Sequence, residues 1–355
     1  ITDYKGHISR IPINDLRPYF KKSLPTNLFQ KIRWKISLAL WTIIKGTSKH
    51  DLSDVSRNYH TAFLQKVKLL IDSHQISTIV LSVGPYDYSQ LLIRLRTLYP
   101  ALGLYIDFRD PWKNNYDPLT ERIKKNELIK KHKVLDAVDG IITVNQELVD
   151  YYKHFNPKKN IILLPHAFDP EDIPDLPPVD KNKGTIKLCY GGSLYSGNEG
   201  LISQIVSLTN KISKHSRIQT NFYVSMKGYE KELNHPNVNV QRSYLDSDEY
   251  FNKVRQANYA LLILPENRNN AMSSKFFELI ALRRPILYFG GKGLVSSFLE
   301  EHNIGIHVTD NNIQKIANQI ITNNIEIDMK FDLSSYTFKY QNKILLTHLK
   351  KNLSP

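Results

Sequence analysis

The chain is poor in cysteine: Cys189 is the only one in 355 residues. That excludes a disulfide framework and a cysteine-built zinc site, and it fits a reducing compartment, here the cytoplasm. Long apolar runs are also missing. None approaches the roughly 20 residues that span a bilayer, and no secretory pattern opens the sequence. The histidines show no HExxH spacing, and no Asp-x-Asp pair follows an apolar strand, so no metal and no other resident cofactor is expected. No solenoid-period repeat and no low-complexity tract is found. Acidic residues are in deficit, 34 against 48 Lys and Arg, and the net charge of +14 attracts phosphates, nucleic acid or acidic headgroups alike. The first residue, Ile1, is not Met, which reads as a trimmed N-terminus.

What is present can bury a substantial core: 41% of residues are hydrophobic and 10% aromatic. The length favours two domains. Apolar runs at Ser77–Val83, Gly103–Phe108, Gly140–Val144 and Ile161–Leu164 read as short buried strands. Helical patterns at Ser89–Leu98 and Glu121–Ala137 separate them, the βαβ rhythm of a parallel sheet. A Pro-, Asp- and Lys-rich stretch, Asp169–Gly184, breaks the pattern and reads as a linker. The rhythm then restarts with strands at Ile186–Tyr190, Gln219–Val224, Val238–Gln241, Tyr259–Leu264, Pro285–Phe289 and Ile306–Val308. A terminal helix is expected within Tyr336–Leu353.

Open parallel sheets bind ligands beyond the carboxyl ends of their strands, so three post-strand loops matter. Gly191-Gly192-Ser193, after the first strand of the second half, suits either a phosphate cradle ahead of a helix N-terminus or a tight turn. The loop lacks the Walker lysine and a clean GxGxxG. In Ser273-Ser274-Lys275-Phe276-Phe277-Glu278, a serine-capped helix places a cation and a carboxylate three apart on one face. That pair suits a nucleoside diphosphate, with Lys275 on the pyrophosphate and Glu278 on the ribose, but by spacing alone a surface ion pair explains it better. In Asp107-Phe108-Arg109-Asp110, a carboxylate could serve as general base to a hydroxyl, or Asp110 and Arg109 could be structural.

Taken in order, these segments resemble the GT-B glycosyltransferases, specifically the family 4-like enzymes of bacterial polysaccharide assembly. The resemblance runs from Ser82-Val83-Gly84 through Asp107–Trp112, Ala137–Val144, Leu164–Asp169, Tyr190-Gly191-Gly192 and Ala257–Ala260 to Lys275–Leu287. It implies two Rossmann-like α/β domains with parallel sheets facing an interdomain cleft. The first, acceptor-side, domain would span residues 1–168, the linker 169–184 and the nucleotide-sugar domain 185–335, with the terminal helix, 336–355, packing back on the first. It implies donor contacts from Gly191, Gly192, Ser193, Arg242, Ser274, Lys275 and Glu278, and it turns the reading of Lys275 and Glu278 towards the donor. Asp107 or Asp110 would meet the acceptor, with Arg109 and His166 as further cleft residues.

The sequence also departs from the family pattern. Asn270 stands where the first of two glutamates is usual, His166-Ala167 replaces an asparagine-glycine, and the basic pair after Gly192 is missing, which shifts diphosphate binding onto Lys275. The family's first strand and its glycine-rich loop are not found, which reads as an acceptor-side element lost from the N-terminus. The implied activity is transfer from a nucleoside diphosphate sugar, UDP favoured over GDP, to a hydroxyl of a lipid-linked saccharide in cell-surface polysaccharide assembly, without metal. Residues 29–49 mix Lys31, Arg33, Lys35 and Lys45 with Trp34, Trp41 and aliphatics, which suits either a buried helix or one lying on an anionic membrane's inner face. Two rivals share these features: a non-hydrolysing sugar-nucleotide epimerase of the same fold, and a basic nucleic-acid-binding protein. Against the second, no nucleic-acid-reading motif is present, so nucleic acid is not expected as a partner.

Overall fold

The computed structural model describes residues 60–351, apart from 85, 113–120, 174–183, 195–196, 225–227, 243–244, 266–271, 326 and 329, and in addition scattered helical positions between 28 and 43. Most of the linker, Asn270 and most of residues 29–49 lie outside the described residues. The chain divides into two compact units, one of residues 1–164 and 345–355 and the other Pro165–Ile344. Among the described residues no helix is long and apolar enough to cross a membrane.

In the first unit, β1 (Thr78–Val83), β2 (Gly103–Phe108), β3 (Gly140–Thr143) and β4 (Asn160–Leu163) pair in parallel in chain order. Helices Gln90–Leu98, Glu121–Ala137 and Gln146–Phe155 supply the three connections, and helix His60–His74 precedes β1. The strands are short and their centres apolar because both faces of a parallel sheet are covered. Leu104, Ile106 and Phe108 of β2 are fully buried with Leu92, Val134, Ile141 and Tyr152.

The second unit holds a six-stranded parallel sheet. Its strands are β5 (Ile186–Gly191), β6 (Ile218–Tyr223), β7 (Val238–Gln241), β8 (Tyr259–Ile263), β9 (Ile286–Phe289) and β10 (Gly305–Val308), in the order β10-β9-β8-β5-β6-β7. That is the doubly wound Rossmann order, with the reversal between β5 and β8. Alternation along each strand divides the core in two. Leu188, Tyr190, Leu261, Ile263, Leu287 and Phe289 pack with Ile202, Ile205 and Leu208 of helix Glu199–Ser213. Cys189, Ala260, Leu262, Ile286 and Tyr288 pack with Phe251 of helix Ser247–Arg255, Phe277 of helix Ser274–Ala281 and Leu299 of helix Leu294–Glu301. The expected strands are all present, with ends shifted by one residue where they differ, and the terminal helix runs Phe338–Lys351. Phe168, at the entry to this unit, pairs with Thr337: its N–H donates to Tyr336 O (3.1 Å) and its carbonyl accepts from Phe338 N (3.0 Å).

One side chain ties together the lower part of the first unit. Arg96 donates to Ala137 O (2.9 Å), Pro100 O (2.7 Å), Leu102 O (3.0 Å) and the Asp139 carboxylate (2.7 Å), and Asp139 also accepts from Leu104 N. An Arg96→Met chain keeps the aliphatic stem but strands these acceptors. Its unfolding free energy, read from urea titration, should fall by about 2 kcal/mol.

Candidate functional site

Each helix of the second unit leaves the carboxyl end of a strand for one face of the sheet. After β5 the chain crosses to one face as Glu199–Ser213; after β8 it crosses to the other as Ser274–Ala281. The two connections diverge and leave a crevice at the carboxyl edge, where this topology places ligands. A cavity of about 220 Å³ occupies it. Its walls are Gly191 ending β5 with Gly192 and Ser193 beyond it, Tyr223 ending β6, Leu245–Ser247, Tyr250 and Phe251 beyond β7, and Lys275 and Glu278 on the helix beyond β8.

Residue size decides how this wall closes. A Cβ on Gly191 would collide with the Tyr250 ring, and one on Gly192 would meet Lys275 Nζ. Gly192 also has φ +133°, a backbone setting that L residues avoid. The two glycines therefore let the loop press against the lysine and the tyrosine. The Tyr190 hydroxyl donates to Ser193 O (2.8 Å) and fixes the turn. Lys275 Nζ stands 4.7 Å from the centroid of the Tyr190 ring and 5.9 Å from that of Tyr250, so two aromatic faces hold the ammonium.

Two helices begin at the cavity. Asp246 caps Ser247–Arg255 by accepting from Glu249 N (2.8 Å). Ser273 stands at the cap of Ser274–Ala281, but its side chain makes no capping bond, a difference from the expected serine cap; Ser274 is exposed on the first turn. Phe276, Phe277 and Ile280 turn into the core, which leaves Lys275 and Glu278 facing the cavity.

The charges are half-buried and unspent. Neither the Lys275 nor the Glu278 side chain makes an ion pair or a hydrogen bond among the described residues. Burial pushes Lys275 down to about 8 from the usual lysine range, against the opposing pull of Glu278 and Cys189. Burial likewise raises Glu278, opposed by Lys275. Cys189 beneath them is pushed up to about 12 by burial and is an inert thiol. An ammonium, two helix N-termini and loop amides can receive a multiply charged anion, and the carboxylate can accept from hydroxyls.

Of the residues expected at the donor, the structure brings together Gly191, Gly192, Ser193, Lys275 and Glu278; Ser274 is their neighbour on the helix. It does not bring Arg242 to the cavity. That guanidinium lies beyond β7, paired with Glu230 (3.1 Å) and donating to Gly228 O (3.0 Å). Leu245, three residues on, does line the wall. Sequence reasoning missed Tyr223, Asp246, Ser247, Tyr250 and Phe251. The Asp246…Glu249 spacing could have marked the helix start, whereas the tyrosines carry no local signal.

In the first unit Asp107 is buried on β2, where one carboxylate oxygen accepts from Arg109 Nε (2.9 Å) and the other accepts no hydrogen bond among the described residues. Arg109 and Asp110 are exposed. An aromatic frame holds this loop: Trp112 stacks on Tyr86 (5.5 Å), and the Tyr152 ring stacks on Phe108 (4.4 Å) while its hydroxyl accepts from Trp112 N (3.1 Å). His166 is half-buried just beyond β4, at the start of the second unit. A groove of about 600 Å³ flanked by Asp136, Asp139, Lys158 and Lys159 lies at the amino ends of β2 to β4, away from the ligand-binding edge. Among the described residues no three His, Cys, Asp or Glu side chains gather as metal ligands.

Two tandem Rossmann-like units with wholly parallel sheets narrow the choice of fold, and comparison with solved structures decides it. Sucrose-phosphate synthase from Thermosynechococcus elongatus superposes with a TM-score of 0.60 at 12% identity, covering 84% of this chain and 79% of that one. The fold is GT-B. A glycosyltransferase from Rickettsia africae (TM-score 0.53, 11% identity, 82% and 80% covered) shares this GT-B architecture. So does a putative UDP-N-acetylglucosamine 2-epimerase from Listeria monocytogenes (TM-score 0.53, 12% identity, 82% and 79% covered). No family model and no curated protein matches the sequence.

The lysine's setting makes a pH prediction. An anion beside Lys275 favours its charged form, so the bound pKa exceeds the empty value of about 8. Binding then takes up a proton above that pH. Affinity for inorganic sulfate, which does not itself titrate in this range, should be flat below about pH 8 and fall by up to tenfold per pH unit above it. Calorimetry in buffers of differing ionisation enthalpy reads the proton directly, and Lys275→Gln should abolish both effects.

Proposed function

We propose that this GT-B protein is a metal-independent glycosyltransferase that moves a sugar from a nucleoside diphosphate sugar, UDP-linked in preference to GDP-linked, to a hydroxyl of a saccharide acceptor. The observation that carries the reading is the unpaired Lys275 and Glu278 on one helix, at the strand-order switch and across from Gly191-Gly192. Lys275 and the amides of the two helix starts stabilise the departing diphosphate, and Glu278 accepts from the ribose hydroxyls. The acceptor oxygen bonds to the anomeric carbon as the carbon–oxygen bond to the diphosphate breaks. The acceptor's proton passes to a carboxylate of the first unit, Asp107 or Asp110. With leaving-group charge met by an ammonium and helix dipoles, the step has no need of a metal.

The sucrose-phosphate synthase and glycosyltransferase likenesses support transfer. The epimerase likeness supports a second reading, in which the sugar nucleotide is isomerised with no acceptor present. We place the acceptor among lipid-linked saccharides of cell-surface polysaccharide assembly, as the family 4-like motif order implies, with the enzyme peripheral on the inner face of the plasma membrane.

Thermal shift with UDP, GDP, ADP and CMP, each without metal, tests the donor site. One nucleotide should give a saturating rise that both Lys275→Ala and Glu278→Ala lose; no rise with any of them sinks the reading. Asp107→Asn should keep the shift and lose roughly a hundredfold or more in transfer if Asp107 is the base. Product formed from sugar nucleotide alone would favour the epimerase.

A further inference from the structure

Over its middle, residues 127–131, helix Glu121–Ala137 of the first unit reverses the usual division of residues. Glu127, Lys130 and Lys131 point inward. Lys130 Nζ donates to Glu127 (2.6 Å) and to Asp87 (3.0 Å), and Lys131 Nζ donates to the Tyr151 hydroxyl (2.7 Å) while lying 4.4 Å from the Phe155 ring centroid. Glu127, Lys131 and Asp87 are buried. The outward face presents Leu128 and Ile129, 44% and 45% exposed, between Lys125 on one side and His132 and Lys133 on the other, all exposed and at spacings of three and four.

The same unit shows a second surface of this kind. At the described helical positions between 28 and 43, Leu28, Phe29, Ile32 and Ile36 are exposed, with exposed Lys31 and Lys35 among them. Scattered exposed aliphatics need no explanation, but rows at helical spacing fringed by cations do. Such a fringe matches a negatively charged layer, and the apolar side chains reach beneath its headgroups.

We infer that the face of helix Glu121–Ala137 carrying Lys125, Leu128, Ile129, His132 and Lys133 docks on an anionic lipid bilayer. This extends the reading of a lipid-linked acceptor, since it seats the first unit on the surface that carries such acceptors.

Cosedimentation of the full chain with vesicles, without nucleotide, tests it. The chain should pellet with vesicles of phosphatidylcholine mixed with phosphatidylglycerol and stay in solution with phosphatidylcholine alone. Each lysine near an anionic surface is worth about fivefold in partition, so the double variant Lys125→Gln, Lys133→Gln should bind about twenty-fivefold more weakly. Leu128→Ser with Ile129→Ser should weaken binding roughly tenfold or more. Equal binding to both vesicle types, or unchanged binding by both variants, would overturn the inference. So would lipid-free self-association, or nucleic-acid retention, that the same substitutions abolish. Nucleotide-induced stabilisation, kept in both variants, shows that they are folded. Its absence from the wild type would sink the donor reading while leaving the vesicle result standing.

Discussion

The candidate site depends on how one ammonium group is held. Lys275 occupies space that any residue larger than glycine at 192 would claim, and it lies against the rings of Tyr190 and Tyr250. Burial without an ion pair leaves its charge only partly compensated, by Glu278 and the two rings, and the resulting drop towards 8 favours an incoming anion. Tyr190 belongs to the strand before the glycine loop, Tyr250 to the helix beyond β7 and Lys275 to the helix beyond β8. One contact set thus joins three separate connections of the second unit.

The sheet makes that meeting possible. Because β5 and β8 are neighbours though far apart in sequence, the loops following them are brought side by side, and their helices leave for opposite faces. The cavity is a consequence of strand order before it is a consequence of any side chain. The side chains then decide its chemistry: cation and helix dipoles at one part of the wall, a carboxylate on the next helical turn, aromatic rings across from them.

The first unit uses charge differently. Arg96 satisfies carbonyls at the amino edge, Lys130 neutralises two buried carboxylates, and Lys131 covers aromatic faces. A basic chain therefore spends several of its cations inside. Those left on the outer face of helix Glu121–Ala137 surround exposed aliphatics.

Much of this is legible in the sequence. Buried parallel strands are continuous apolar runs bounded by turn residues, so Ile186–Gly191 and Tyr259–Ile263 announce themselves locally, and the helical period of Phe276, Phe277 and Ile280 orients Lys275 and Glu278 away from the core. Spacing along one helix is a local property, and sequence determines local properties. Whether that pair would meet a ligand or merely each other was not local, because it required Gly192 and Tyr250 to arrive from other connections. Arg242, which stands close by in the chain, turned instead to Glu230. The inverted helix was hidden for the same reason: its lysines are drawn inward by Asp87 and Tyr151, partners more than 15 residues away, and no periodicity within Glu121–Ala137 encodes them. Sequence determined the elements and, where apolar residues recur at the local period, the face each would bury; tertiary structure decided which polar side chains turned inward and which charges were left unpaired, since that depends on neighbours the chain brings together only when folded.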